Sequence, residues 1–220
     1  GTKSLSFWPY RYISDPDTAE VLELFQKISS SDKTLSIMAH FNHPQELSTP
    51  AVRTAVEKIL ATGAQIRTQS PLLNHINNHG DIWAEMWRKQ VKMGMIPYYM
   101  FIARDTGAKE YFDVPLARAA EVFQQAYTQV SGIARTVRGP SMSCNPGKVR
   151  VVGTAKLGGE KVFVLEFIQG RNSQWVGTPF FAKYDPQASW IDDLQPAFGE
   201  EKFFFEEELA EIISTNVEKH

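Results

Sequence analysis

The sequence predicts an α/β fold: an incomplete (β/α) barrel with parallel strands, followed by a small β-hairpin and an aromatic C-terminal extension. Three observations predict it. Short apolar runs alternate with amphipathic stretches over the first two thirds of the chain, on a repeat of roughly thirty residues, the length of one strand-helix-strand unit. The amphipathic stretches carry the capping and stop residues of helices. After residue 148 the alternation gives way to two strand-like runs joined by Gly158-Gly159-Glu160, which is a hairpin signal.

In chain order, the candidate strands are 3–7, 35–41, 65–70, 96–102 and 137–143. The candidate helices between them, 17–28, 49–61, 82–92 and 116–130, place apolar residues at three- and four-residue spacing. Asp15-Pro16 introduces the first, and Ser48-Thr49-Pro50 introduces the second with a capping residue ahead of an N-terminal proline. Gly63 and Gly94 close the second and third. The hairpin strands are 149–157 and 161–169, then an aromatic-rich stretch from Trp175 to Phe205 leads into an acidic helix over 206–218. Two domains are expected, 1–148 and 149–220.

Parallel neighbours need a crossover that a helix supplies, so the alternation argues for parallel strands. Ligands in such folds sit where strands end and loops begin. The polar residues at those places are His40 and His43, Gln69 and Ser70, Arg104 and Asp105, and Asn145 to Lys148. Only four full units are present, whereas a closed barrel takes at least about 200 residues for eight. Residue 1 also falls at a strand-like segment, which would leave a parallel edge uncovered. The chain is therefore expected to begin in mid-domain.

Composition narrows the function classes. With 220 residues, 43% of them hydrophobic and 22% charged, the chain has the profile of a folded protein with a sizeable core. A net charge of −2 leaves no global positive footprint for nucleic acid or an anionic membrane. The longest apolar runs fall far short of the roughly 20 residues that cross a bilayer. No secretory h-region opens the sequence, so a cytoplasmic setting is expected. The single cysteine, Cys144, excludes a disulfide framework, a Cys₄ zinc site and a self-contained iron–sulfur cluster. No phosphate-cradling glycine loop, Walker sequence or GxSxG elbow occurs.

Each conspicuous motif has a chemical and a bland reading. His40-Phe41-Asn42-His43-Pro44 fits a loop that hydrogen-bonds a ligand at a strand end, or one that merely caps it; no third metal ligand stands at a recognisable spacing. His75 and His79 sit among Asn74, Asn77, Asn78 and Gly80, which reads as a loop without assigned function. Asp105 is either a counter-charge for a substrate ammonium or the partner of Arg104 or Lys109. Lys148 follows the turn after the fifth strand; a desolvated lysine there forms a Schiff base with an aldehyde cofactor, and otherwise it is a surface charge. Cys144 is read as a small buried residue.

Taken in order, His40-Phe41-Asn42-His43-Pro44, then Thr68-Gln69-Ser70-Pro71-Leu72-Leu73-Asn74, then Pro97-Tyr98-Tyr99 leading to Asp105, then Tyr111-Phe112-Asp113-Val114-Pro115-Leu116, then Pro146-Gly147-Lys148 resemble the lysine 2,3-aminomutase (KamA-like) family of radical S-adenosylmethionine enzymes. The resemblance covers about residues 1–148, corresponding to the C-terminal half of that family's catalytic domain. It implies a partial (β/α) barrel that uses a [4Fe–4S] cluster, S-adenosylmethionine and pyridoxal phosphate to move an amino group between neighbouring carbons of an amino acid.

By the same resemblance, His40 and Gln69 correspond to residues contacting S-adenosylmethionine, Asp105 to one of two aspartates holding the distal ammonium of lysine, and Lys148 to the pyridoxal phosphate lysine. This sequence departs from the pattern in three places. The glycine-rich run before the lysine shrinks to Pro146-Gly147, the loop after Asp105 is about one residue shorter, and the second aspartate is replaced by Cys144 or Ser143. A lost carboxylate removes a charge-assisted hydrogen bond of roughly 1.5–3 kcal/mol, which puts lysine itself in question as substrate. The CxxxCxxC cluster ligands have no counterpart here. The expectation is an isomerase fragment, inactive alone, without a metal site of its own; the competing expectation is a cluster-free βα module that binds a small molecule or a protein. The aromatic content of 149–220 fits either a cover for the barrel mouth or assembly into a homo-oligomer.

Overall fold

A computed structural model describes residues 4–7, 18–29, 32–103 and 108–217. The chain divides into two compact units, one within Gly1–Pro71, His75–Met100 and Gln124–Arg138, the other within Leu72–Asn74, Phe101–Phe123 and Gly139–His220.

The first unit is built on parallel strands. β1 (Ser4–Phe7) pairs with β2 (Ser36–His40), and β2 with β3 (Gln65–Leu72), both in parallel. β4 (Ile96–Ile102) stands next in the order. Helices α1 (Thr18–Ser29), α2 (Pro50–Ala61) and α3 (Gly80–Lys92) intervene, as the crossovers require. Thr49 caps α2 by accepting from the Val52 amide at 3.3 Å, with Pro50 at the first helical position. Gly63 and Gly94, at φ of +83° and +81°, stop α2 and α3 in the left-handed region that glycine enters at little steric cost.

Alternation along the strands separates two faces. Ile37, Ala39, Ile66, Thr68 and Ser70 are buried, whereas Met38, His40, Arg67 and Gln69 are half-buried on the other side. Thr68 donates through Oγ1 to Gln90 Oε1 at 2.8 Å, which puts α3 against the buried face. Val52, Val56 and Ile59 of α2 are buried, each worth about 1.5–3 kcal/mol. Helix α3 begins at Gly80 rather than 82. A β-carbon at residue 80 would come within 2.5 Å of the Gln125 β-carbon, so the crossing with α5 (Leu116–Gln129) demands glycine.

The second unit is antiparallel. β5 (Arg138–Cys144), β6 (Gly147–Leu157), β7 (Glu160–Gly170) and β8 (Pro179–Lys183) pair in sequence. A short helix α4 (Lys109–Phe112) precedes α5, and α6 (Glu206–Val217) ends the described chain. Two expectations are corrected here. The strand expected last in the parallel set, β5, forms an antiparallel hairpin with β6, so Lys148 lies inside β6 and not in a loop. The hairpin of 149–169 extends to four strands, because the short run Pro179-Phe-Phe-Ala-Lys buries Phe180 and Ala182 against β7. Phe167, Trp175, Phe180, Phe203 and Phe205 are buried in this unit, and the Trp175 indole donates to Glu208 Oε2 at 2.7 Å, tying α6 to the cluster.

Candidate functional site

In the first unit, the ends of β2 and β3 bring His40 and Gln69 together. Parallel register sets them side by side, and Gln69 Nε2 lies 2.6 Å from His40 Nε2. An amide N–H donating there needs a neutral imidazole with its lone pair on Nε2. Burial acts in the same direction, pushing the His40 pKa below 6.5. Two residues before Gln69, the Arg67 guanidinium lies 5.1 Å from the centroid of the Tyr98 ring, and the Arg138 guanidinium 5.3 Å from it.

The loop that follows His40 is braced. Glu46 Oε1 accepts from the amides of Asn42 and His43 at 2.9 and 3.1 Å. Asn77, fully buried at 0% exposure, donates to the carbonyls of Asn42 and Pro71 at 2.9 and 3.0 Å, and its own carbonyl accepts from the Trp83 indole at 2.6 Å. Ser70 donates to Asn42 Oδ1 at 3.2 Å. Asn42 thus serves the loop, and His43 Nδ1 accepts from the Gln45 amide at 3.3 Å. His75 sits in a turn at φ +63° and His79 at the N-cap of α3. Among the described residues no three His, Cys, Asp or Glu side chains form a group able to hold a metal ion, and no helix is long and apolar enough to cross a membrane.

The coupling of His40 to burial has a pH signature. An unfolded chain protonates this histidine as the pH falls through 6.5, whereas the folded chain protonates it only lower. In that window the unfolded state binds more protons, so stability falls on acidification. The urea midpoint of the wild type is expected to drop more steeply from pH 7 to pH 5 than that of His40→Asn.

In the second unit, Lys148 lines a cleft of about 280 Å³ together with Ser143, Cys144, Asn145, Gly147, Gln169, Gly170 and Arg171. The register places it between Ser143 of β5 and Gln169 of β7. It shares a strand face with Arg150, which pairs with Glu166 at 3.0 Å, while Val149 and Val151 turn into the core. Gly147 allows the close approach that shapes the cleft, since a β-carbon there would lie 2.2 Å from the Gln169 carbonyl oxygen. Arg171 donates through Nε to the Asn145 carbonyl at 2.7 Å and through Nη2 to Asn145 Oδ1 at 3.1 Å. Asp105, with Arg104, lies outside the described residues.

Burial pushes the Cys144 thiol up to about 11, with Asp192 adding to the shift, although hydrogen bonds to the backbone oppose it. Its Sγ donates to the Gly147 carbonyl at 3.2 Å. The residue is therefore held as the thiol, the poorer nucleophile, at neutral pH. Starting from 9.0, a rise to about 11 lowers the thiolate fraction about a hundredfold, so iodoacetamide at pH 8 is expected to label Cys144 about a hundredfold more slowly in the native chain than in urea.

Arg171, Gln169 and Asn77 are the residues that motif reading missed. Arg171 carries a weak signal, a cation directly after the glycine ending β7; Asn77 carries none, because its role depends on which carbonyls the fold delivers to it.

No family model matches the chain. Among curated proteins, a putative L-lysine 2,3-aminomutase of Aquifex aeolicus (strain VF5) is 31% identical over 202 residues, 92% of this chain and 52% of that protein. The chain is a homologue of the 2,3-aminomutases. Glutamate 2,3-aminomutase of Clostridioides difficile (strain 630) is 28% identical over 61% of this chain and 29% of its own length. L-lysine 2,3-aminomutase of Fusobacterium nucleatum is 30% identical over 43% of this chain and 22% of its own length. This aminomutase homologue thus spans about half the length of the Aquifex protein, and less of the other two. Among solved structures, a radical SAM methyltransferase from Sphaerobacter thermophilus matches with a TM-score of 0.38 and 13% identity over 53% of this chain and 37% of that one, a likeness that carries no argument.

Proposed function

We propose that this chain forms part of a radical S-adenosylmethionine aminomutase-like enzyme that shifts an amino group between neighbouring carbons of an amino acid, and that it carries the lysine for pyridoxal phosphate. The observation that carries the reading is the placement of Lys148 in a cleft on a strand, in a chain homologous to aminomutases along 92% of its length.

The residues present fit an aldehyde cofactor. Lys148 is half-buried and held by its strand beside Ser143 and Gln169, so its Nζ is the amine that would attach the aldehyde. Pyridoxal phosphate, when bound, supplies an electron sink conjugated to the substrate nitrogen. Cys144, kept as a thiol, is a poor competing nucleophile beside Lys148. His40 and Gln69 fit a contact with S-adenosylmethionine: the neutral imidazole and the amide are already paired, so they meet a ligand as a fixed polar surface. Asp105 is assigned the substrate's ammonium. The residues do not fit a [4Fe–4S] cluster, since one cysteine cannot ligate four irons.

The test is borohydride reduction of the chain mixed with pyridoxal phosphate, followed by peptide mass spectrometry. The label is expected on Lys148 and absent from Lys148→Ala. A label confined to other lysines, with Lys148 unmodified, overturns the assignment and favours the binding-module alternative.

A further inference from the structure

We propose that the cleft beside Lys148 is an anion subsite in which Arg171 receives a carboxylate or a phosphate group. Among the described residues that line it, two are charged, Lys148 and Arg171, and both are cationic; the others are Ser143, Cys144, Asn145, Gln169 and two glycines. Arg171 offers an anion a counter-charge there.

Arg171 is also pre-oriented. Asn145 holds Nε and Nη2 through its carbonyl and its side chain, and the Arg171 amide donates to the Pro146 carbonyl at 3.0 Å. The Nε–Nη2 edge of the guanidinium is thereby fixed to the turn between β5 and β6, which leaves the Nη1–Nη2 edge, in a fixed plane, for bidentate recognition of a carboxylate or phosphate. Gly170, like Gly147, is required by close approach of the protein's own backbone, since a β-carbon at residue 170 would lie 2.7 Å from the Asn172 carbonyl oxygen.

Two sources offer this chemistry: the phosphate of the aldehyde cofactor and the side-chain carboxylate of an acidic amino acid. Only this choice of source rests on the reading of Lys148 as the cofactor lysine. The experiment titrates the chain with inorganic phosphate, glutarate and lysinamide at constant ionic strength, following the arginine Nε–H resonances by NMR. The resonance missing from Arg171→Gln is expected to shift saturably with phosphate or glutarate and to stay still with lysinamide. Arg171→Lys, which keeps the charge but loses the fork, is expected to weaken anion binding at least fivefold, and it carries the test if Arg171→Gln does not fold. A non-saturating shift, or binding unchanged in Arg171→Lys, overturns the proposal.

Borohydride labelling of Lys148 separates the sources. If the cofactor phosphate is the anion, Arg171→Gln lowers labelling by pyridoxal phosphate at least fivefold and leaves labelling by pyridoxal unchanged. If a substrate carboxylate is the anion, both labels stay unchanged while the glutarate response is lost. Absent labelling with an intact anion titration counts against the cofactor assignment and leaves the anion subsite standing.

Discussion

Gly147→Ala is expected to cost about 3 kcal/mol of stability and to abolish the cleft around Lys148, at the upper end of the penalties for overpacking a tight site. The added β-carbon would lie 2.2 Å from the Gln169 carbonyl oxygen, 2.8 Å from Gly170 Cα and 3.0 Å from the Gln169 carbonyl carbon. All three are backbone atoms of β7, which cannot swing aside as the end of a flexible side chain can. The strands must part at the rung where Gly147 faces Gly170, next to the rung where Lys148 faces Gln169. Gly132→Ala is the control. It has nothing within 4 Å of an added β-carbon and no left-handed φ, and is expected to cost less than about 1 kcal/mol. Urea unfolding of the two variants checks the difference. Equal midpoints would show that strand proximity at residue 147 sets neither stability nor the cleft.

The second large effect is expected from Phe167→Ala, at about 3–5 kcal/mol. The Phe167 side chain is at 0% exposure and its ring centroid lies 5.5 Å from that of Trp175, 5.4 Å from Phe180, 6.1 Å from Phe204 and 5.0 Å from Phe205. Truncation removes the transfer free energy of the ring and leaves a void that the buried rings of Trp175, Phe180 and Phe205 cannot collapse to fill, because their own packing fixes them. At about 2–4 °C per kcal/mol for a chain of this size, the thermal midpoint should fall by about 10 °C in calorimetry. A shift within 2 °C would mean that the aromatic extension contributes little to the unit carrying Lys148.

How much of this was legible in the sequence depends on whether the signal was local. The ends of α2, Thr49-Pro50 at one side and Gly63 at the other, follow from capping chemistry and were readable. The hairpin turn at Gly158-Gly159 was equally plain. Periodicity alone puts His40 and Gln69 at the ends of successive strands, and the parallel register brings their ring and amide into contact. β8 was hidden because five residues are too few for alternation to stand out against an aromatic-rich background. The antiparallel setting of Lys148 was hidden too. A turn after an apolar run looks the same whether the chain turns into a helix or back along the strand it has left. Arg171 carries only the weak local signal of a cation after a glycine, because its pairing with Asn145 depends on the register between β6 and β7, a long-range quantity.

The central claim is that Lys148 serves amino migration. The measurement that meets it most directly is isotope tracing in the natural gene product that carries this sequence, prepared anaerobically and supplied with S-adenosylmethionine, pyridoxal phosphate, a reductant and amino acids labelled with ¹⁵N at the α-position. The account predicts a β-amino acid retaining the ¹⁵N on the neighbouring carbon with the wild type, and none with Lys148→Ala. Tracer that stays on the α-carbon of every amino acid, in a preparation whose absorbance shows an intact iron–sulfur cluster, would contradict it.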